Sequence, residues 1–393
     1  MITTLAIENY RSLRDLVLEL DQLTVITGAN GTGKSSLYRA LRLLADCGAG
    51  EVIGSLARSG GLASVLWAGP EHVSGAMRRG EVPVQGTGKR TKAISLQMGY
   101  AGDDFGYLID LGLPRPDQGS LFGHDPEIKR EMIFSPPVMR PAATLVRRSW
   151  GRVEVRDGRS WTELTDAMPT HLSLLSEFAD PDRTPEVTAV REGIRQWRFH
   201  DSFRTDPEAP ARQPQIGTRT PVLDHEGALL APALQTILES GDAAALGQAI
   251  DDAFEGSRVG VQNHDGRFIV ELTQPGLLRP LTSPELSDGT LRYLLLATAL
   301  LSPRPPRLMV LNEPETSLHP DVIPALARLI TTAAGRTQLV VVSHSDALVA
   351  ELARAADQAT VALRQHELIK ELGQTRIADQ GQFERPAWAW GWR

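Results

Sequence analysis

The stretch GANGTGKS, Gly28 to Ser35, sets two glycines, a lysine and a serine at the spacing of a phosphate-binding loop, G-x-x-x-x-G-K-[ST]. Glycine there lets backbone N–H groups curl round phosphate oxygens where a side chain would block the approach. Lys34 has the charge and reach for the outer phosphates of a nucleoside triphosphate, and the Ser35 hydroxyl suits Mg2+. The binding segment is expected to be Gly28, Ala29, Asn30, Gly31, Thr32, Gly33, Lys34, Ser35 and Ser36. A second GTGK, at 86–89, has Arg90 in place of the Ser/Thr and Pro83 in place of the leading glycine, and reads as an ordinary loop.

Further along, VLNEPETSLHP places an acid just past an apolar strand. Glu313 suits the general base for an attacking water. Asn312 stands where a metal-holding Asp would be expected. Its Oδ1 still accepts hydrogen bonds and can face Mg2+ through water, but it brings no charge, so metal affinity should fall. General bases contribute about 10²–10⁴-fold to rate. Retention of Glu313 therefore predicts a competent but slow hydrolase, and the missing charge leaves a binding-only switch as the alternative.

Two further stretches carry polar residues at suggestive places. In ELSDGTLRYLLLATALL, Ser287 can cap the apolar helix that follows, and the free amides around Asp288 and Gly289 can take an anion. In VVVSHSDAL, His344 sits just past a buried strand. Ligands of open α/β sheets lie outside the carboxyl ends of their strands, which is where the loop after Thr27, Glu313 and His344 all fall.

The elements that must position these residues are legible. LTVIT (23–27) is a short apolar run of the kind found in buried parallel strands, followed by the glycine loop and by LYRALRLLAD at helical spacing. TTLAIENYRSLRDLVLEL reads as two strands, and KAISLQMGYAGDDFGYLIDL as an antiparallel hairpin. RVEVRDGRSW is a second hairpin, turning at Asp157–Gly158. Residues 206–221 are too rich in proline and polar residues for a regular element and read as an exposed loop. ALLAPALQTILESG and AAALGQAIDDAF are helical, and after 280 helix and strand alternate: helix 289–301, strand 307–311, helix 321–333, strand 338–342 and a helix from about 345.

Composition narrows the class. With 393 residues there is room for two or three units with real cores. Lys+Arg 41 against Asp+Glu 48 gives a net charge of −7, which argues against a nonspecific nucleic-acid coat. Cys47 is the only cysteine, so no intrachain disulfide forms. The apolar run LLLATALL is too short to span a bilayer, and the opening residues lack the apolar core of a signal peptide. A cytoplasmic protein without a membrane partner is expected.

The motif order GANGTGKSS, LSDGT, VLNEPETSLHP, VVVSHS resembles the ABC-type ATPase head of the RecF/SMC clan, and within it the stand-alone RecF-like predicted ATPases related to the ATPase half of the OLD nucleases. The opening LAIENYRSLRDLVLEL is similar to the clan's first strands. The fold this implies is α/β: a P-loop NTPase of ABC/SMC-head type, with a mixed or parallel central sheet, flanking helices, an antiparallel β subdomain and a helical insertion.

The expected organisation is a first lobe over 1–135, an insertion over 136–280, a second lobe over 281–365 and a Trp-rich tail over 366–393. The resemblance further implies ATP and Mg2+ as ligands. Asn30 and Lys34 would bind phosphate, Ser35 and, through water, Asn312 the metal. Glu313 would be the base and His344 a γ-phosphate contact. Ser287, Asp288 and Gly289 would act in trans on the nucleotide of a second subunit, with Ser317 to Pro320, including His319, coupling the two sites. An ATP-dependent homodimer follows from that arrangement. The family's metal-sensing glutamine is not identifiable among Gln97, Gln118 and Gln215.

Three outputs stay open: an ATPase coupled to duplex or single-stranded DNA in repair, maintenance or anti-phage defence; a nucleotide-gated scaffold controlling a separately encoded effector such as a nuclease; and a transport ATPase. Residues 140–161 interleave arginines with Trp150 and Trp161, which fits either nucleic-acid contact or a solvated hairpin face. Trp388, Trp390 and Trp392 alternate in the tail, to pack on their own domain or to dock a partner.

Overall fold

The computed structural model describes residues 1–70, 74–79, 81, 95–114, 121–201, 203–381 and 383–391. The GTGK at 86–89, Gln118 and Trp392 lie outside them. The chain forms two compact units, one of Met1–Asp21, Thr27–Trp197 and His366–Arg393, the other of Gln22–Ile26 and Arg198–Gln365.

In the first unit an antiparallel sheet of eight strands runs in the order Leu13–Glu19, Ile2–Tyr10, Leu96–Gly102, Gly106–Gly112, Glu127–Phe134, Thr144–Ser149, Arg152–Asp157, Ser160–Thr165. The two hairpins expected from sequence are both there: Leu96 faces Leu111, and Asp157 faces Ser160 across the turn. Helix Lys34–Ala49 buries Leu37, Leu41, Leu44 and Cys47 on one stripe and stops at Gly50, which takes a left-handed φ of 76°.

On the strand Glu127–Phe134 a buried carboxylate is fully satisfied. Glu131 Oε1 accepts from Tyr107 (2.7 Å) and Ser173 (2.6 Å), and Oε2 from Arg148 and the Leu174 amide (both 2.8 Å). A buried pair with every lone pair used holds its elements in one register, whereas loss of one partner leaves a buried charge.

The arginine- and tryptophan-rich hairpin is engaged with itself. The Arg147 guanidinium lies 4.1 Å over the Trp161 ring and pairs with Glu154 at 2.7 Å, Lys129 lies 4.1 Å over Trp150, and Arg152 pairs with Glu163 at 3.0 Å. The tail packs on its own unit: Trp388 meets Phe134 edge-on at 6.0 Å and Trp390 at 5.3 Å, against Met132 and Met139.

The second unit is built on strands in the order Trp197–His200, Leu308–Asn312, Gln338–Val342, Leu23–Thr27. Leu308–Asn312 and Gln338–Val342 pair in parallel, and so do Gln338–Val342 and Leu23–Thr27. These strands are apolar at nearly every position because both faces are covered. Helix Asp288–Leu300 is buried from Leu291 to Leu300, and helix Ile323–Ala334 shares its core with Leu311, Leu339 and Val341. Helices Leu230–Ser240 and Ala243–Ala253 pack near a small antiparallel sheet of Gln215–Ile216, Arg267–Thr273, Arg258–His264 and Leu281–Thr282. Among the described residues no helix is long and apolar enough to cross a membrane.

Residues 206–221, expected as an exposed loop, are only partly that. The segment holds a 3-10 turn at Pro210–Arg212 and the strand Gln215–Ile216, and buries Ala209, Ala211, Arg212 and Gln215. Arginine tolerates burial here because all three guanidinium nitrogens donate hydrogen bonds.

Candidate active site

The phosphate loop belongs to the first unit. Gly28 and Gly33 take φ of 139° and 113°, open to glycine and strained for other residues. Space enforces the same choice: a Cβ on Gly28 would lie 2.3 Å from the Leu368 carbonyl oxygen, and one on Gly33 2.1 Å from Thr375 Oγ1. Thr375 is the buttress. Its hydroxyl donates to the Thr32 carbonyl (2.6 Å) and lies 2.8 Å from the Ser12 hydroxyl, while its amide donates to the Ser12 carbonyl. Within the loop Thr32 Oγ1 donates to the Ala29 carbonyl at 2.8 Å. The buried Lys34 ammonium donates to the carbonyls of Gly28 and Ala29. Ala29, Asn30, Gly31 and Ser35 are exposed, and Ser36 is half-buried.

The acidic strand end, the capped helix and His344 all belong to the second unit. Asn312 closes the strand Leu308–Asn312, and Glu313 follows in a left-handed conformation, φ 49°. Non-glycine residues seldom adopt it, and where they do the surroundings must hold them there. Here the Glu313 amide donates to the Val342 carbonyl (2.7 Å), and Arg292 donates to the Glu313 carbonyl (3.2 Å).

The Glu313 carboxylate lies 3.3 Å from His344 Nδ1. Glu315, buried, accepts from the Ser343 hydroxyl (2.6 Å) and the His344 amide (3.4 Å), and lies 3.7 Å from the same Nδ1. Burial pulls the Arg292 guanidinium below its ordinary value, opposed by the charges of Glu315, Glu313 and Asp201. Asp201 follows the strand Trp197–His200, neighbour of Leu308–Asn312, so a carboxylate from the adjacent strand also faces this cluster.

Ser287 caps helix Asp288–Leu300, its Oγ accepting from the Thr290 amide at 3.2 Å. A Cβ on Gly289 would stand 2.8 Å from the Ser317 carbonyl oxygen, so the turn requires glycine where it meets the acidic loop. Ser317 is itself left-handed, φ 65°, and His319, exposed, caps the next turn by accepting from the Asp321 amide. The turn before Ser287 is pinned as well: Glu285, held down to about 2 by Arg279 and by hydrogen bonds from Thr282, closes a capping box.

Sequence reasoning missed Arg212, Arg292, Asp201, Glu315 and Thr375. Only Glu315 carried a signal, as the second acid of EPE. Of the glutamines, Gln97 is buried and donates to Asp110, and both ends of the Gln215 amide are used within its unit, by the Pro210 carbonyl and the Ala231 amide. Among the described residues no cluster of His, Cys, Asp and Glu could itself hold a metal. Mg2+ suits such a donor set, because it takes one or two protein oxygens and the rest from phosphates and water.

Two family models match the sequence. One, described as "AAA ATPase domain", covers residues 1–55; the other, described as "AAA domain, putative AbiEii toxin, Type IV TA system", covers residues 182–350. Each model covers less than half of the chain, and both descriptions are of AAA domains. The match over residues 1–55 takes in the whole phosphate loop, and the match over residues 182–350 takes in Arg212, Ser287, Glu313, Glu315 and His344. No curated protein matches.

Among solved structures, an SMC head bound to the C-terminal winged-helix domain of ScpA is 14% identical, covering 96% of each chain with a TM-score of 0.49. The SMC head domain from Thermotoga maritima is 14% identical over 96% of this chain and 98% of that one, TM-score 0.43. An SMC head with an extended coiled coil, bound to the C-terminal domain of ScpA derived from Pyrococcus furiosus, is 12% identical over 96% and 95%, TM-score 0.49.

Proposed function

We propose that the chain binds and hydrolyses ATP with Mg2+, and that two copies close around the nucleotide. The observation that carries this reading is the Glu313–His344 contact at 3.3 Å, on a glutamate held in a strained backbone conformation. Glu313 takes the proton of the attacking water, and His344 keeps the carboxylate aimed. Lys34 draws charge from the β- and γ-phosphates once it leaves the loop carbonyls. Bound Mg2+ would neutralise phosphate charge, with Ser35 and Asn312 as the residues that hold it. Ser287 and Gly289 are assigned to the γ-phosphate of a second copy, and Ser317 and His319 to communication between the two sites.

Asn312 favours a second reading, a nucleotide-gated scaffold that hydrolyses weakly and controls a separately encoded effector. Coupling to DNA has the motif resemblance behind it. In the hairpin, Arg147 stacks on Trp161 and pairs with Glu154.

The test is ATP turnover with and without duplex DNA, for wild type beside Glu313→Gln. The variant should turn over at least about tenfold more slowly and accumulate as an ATP-bound dimer. Unchanged turnover would remove Glu313 from the role of base.

A further inference from the structure

The segment 206–221 contributes one buried cation, Arg212, and all of its donors point at its own loop or at the turn of residues 283–289 that opens helix Asp288–Leu300, called here the signature turn. Arg212 Nη1 donates to the carbonyls of Leu286 (2.7 Å), Ser283 (3.0 Å) and Pro284 (3.3 Å), and Nη2 to Asp288 Oδ1 (2.7 Å). Its Nε donates to the Thr205 carbonyl at 2.8 Å. In return the Ser283 hydroxyl donates to the Arg212 carbonyl at 3.3 Å. Arg212 is buried, whereas the Asp288 side chain it grips is largely exposed. So a guanidinium fork brackets Ser287 from both sides in sequence, Leu286 on one and Asp288 on the other.

Such a fork fixes the direction of a turn in a way a point cation cannot. With Leu286 O and Asp288 both held, the Ser287 hydroxyl and the first amides of helix Asp288–Leu300 keep one orientation. We infer that Arg212 is the positioning residue of the signature turn, and that through Ser287 and Gly289 it acts on a nucleotide held by a second copy of the chain rather than on its own. This rests on the ATP-sandwiched dimer proposed above.

The experiment mixes variants. Arg212→Gln alone should bind a fluorescent ATP analogue like wild type yet lose about 10- to 100-fold in turnover, the scale of a misplaced catalytic group. Lys34→Ala has an intact signature and a dead phosphate loop. Mixed with Arg212→Gln it should restore turnover that neither variant shows alone, because each mixed dimer holds one complete site of its two. Mixed with Ser287→Arg, Arg212→Gln should recover nothing, since both lesions fall on the same half-site. Arg212→Lys serves where the glutamine variant fails to fold.

Wild-type turnover by Arg212→Gln, loss of analogue binding, or no recovery with Lys34→Ala would each overturn the proposal. If wild type itself does not turn over, the hydrolysis reading alone fails, and the assignment is read from ATP-dependent dimerisation by sedimentation. There Arg212→Gln should stay monomeric while binding the analogue, and an unimpaired dimer would overturn it.

Discussion

The imidazole Nδ1 of His344 lies 3.3 Å from Glu313 Oε1 and 3.7 Å from Glu315 Oε1. Both facing atoms are acceptors when ionised, so Nδ1 carries the proton and Nε2 is the nitrogen left to face a ligand. The two carboxylates differ in environment: Glu313 is partly exposed, whereas Glu315 is buried and tied to Ser343 and the His344 amide. On the proposed reading Glu313 acts on water and Glu315 holds the loop.

Glu315→Ala and Glu315→Gln should therefore separate. Alanine leaves the Ser343 hydroxyl and the His344 amide without their acceptor and should lower kcat about tenfold or more with KM for ATP little changed. Glutamine keeps an acceptor oxygen and should recover most of that loss. Equal defects in the two variants would mean that the negative charge, not the hydrogen bonding, is what the site uses.

Gly289→Ala tests the meeting of the signature turn with the acidic loop. Its Cβ would press on the Ser317 carbonyl at 2.8 Å, and Ser317 already sits in left-handed backbone. Turnover should fall about tenfold or more while the fluorescent analogue still binds, since the phosphate loop is untouched. Full activity would show that the acidic loop yields without consequence.

His200 gives the second unit a pH dependence of its own. The ring is buried against Phe203, its Nδ1 has no hydrogen-bond partner, and burial, with His225 and Arg198 adding to it, lowers its pKa to about 3. Above pH 6.5 the group is neutral folded or unfolded and costs nothing. As pH falls from 6.5 toward 3 the unfolded chain takes a proton that the folded one refuses, so stability declines, by about 2 kcal/mol at pH 5. Thermal melting should drop by about 4–8 °C between pH 7 and pH 5 beyond the drop in His200→Phe. Parallel profiles for the two proteins would mean that His200 does not stay neutral in the fold.

The parallel sheet was legible because its strands are covered on both faces, so Leu308–Asn312, Gln338–Val342 and Leu23–Thr27 stand out as unbroken apolar runs between glycine loops and helices. Ser287, Glu313 and His344 could be singled out because each stands in a short motif on a single stretch of chain. Arg212, Arg292, Asp201 and Thr375 were not. Each acts through a partner distant in sequence, Thr375 on Thr32 and Arg212 on Asp288, and an isolated Arg or Thr carries no periodicity to mark it. The proline-rich composition of 206–221 pointed away from burial, and only the hydrogen bonds of the three Arg212 guanidinium nitrogens reverse it. The tail tryptophans were ambiguous for a simpler reason: alternation gives a shared face but not what covers it.

The measurement that bears most directly on the account is Mg2+-dependent ATP turnover by wild type, Lys34→Ala and Asn312→Asp side by side. Slow turnover is expected, abolished in Lys34→Ala and raised in Asn312→Asp by the charge restored beside the metal. Turnover that survives Lys34→Ala, or an Asn312→Asp variant no faster than wild type, would contradict it.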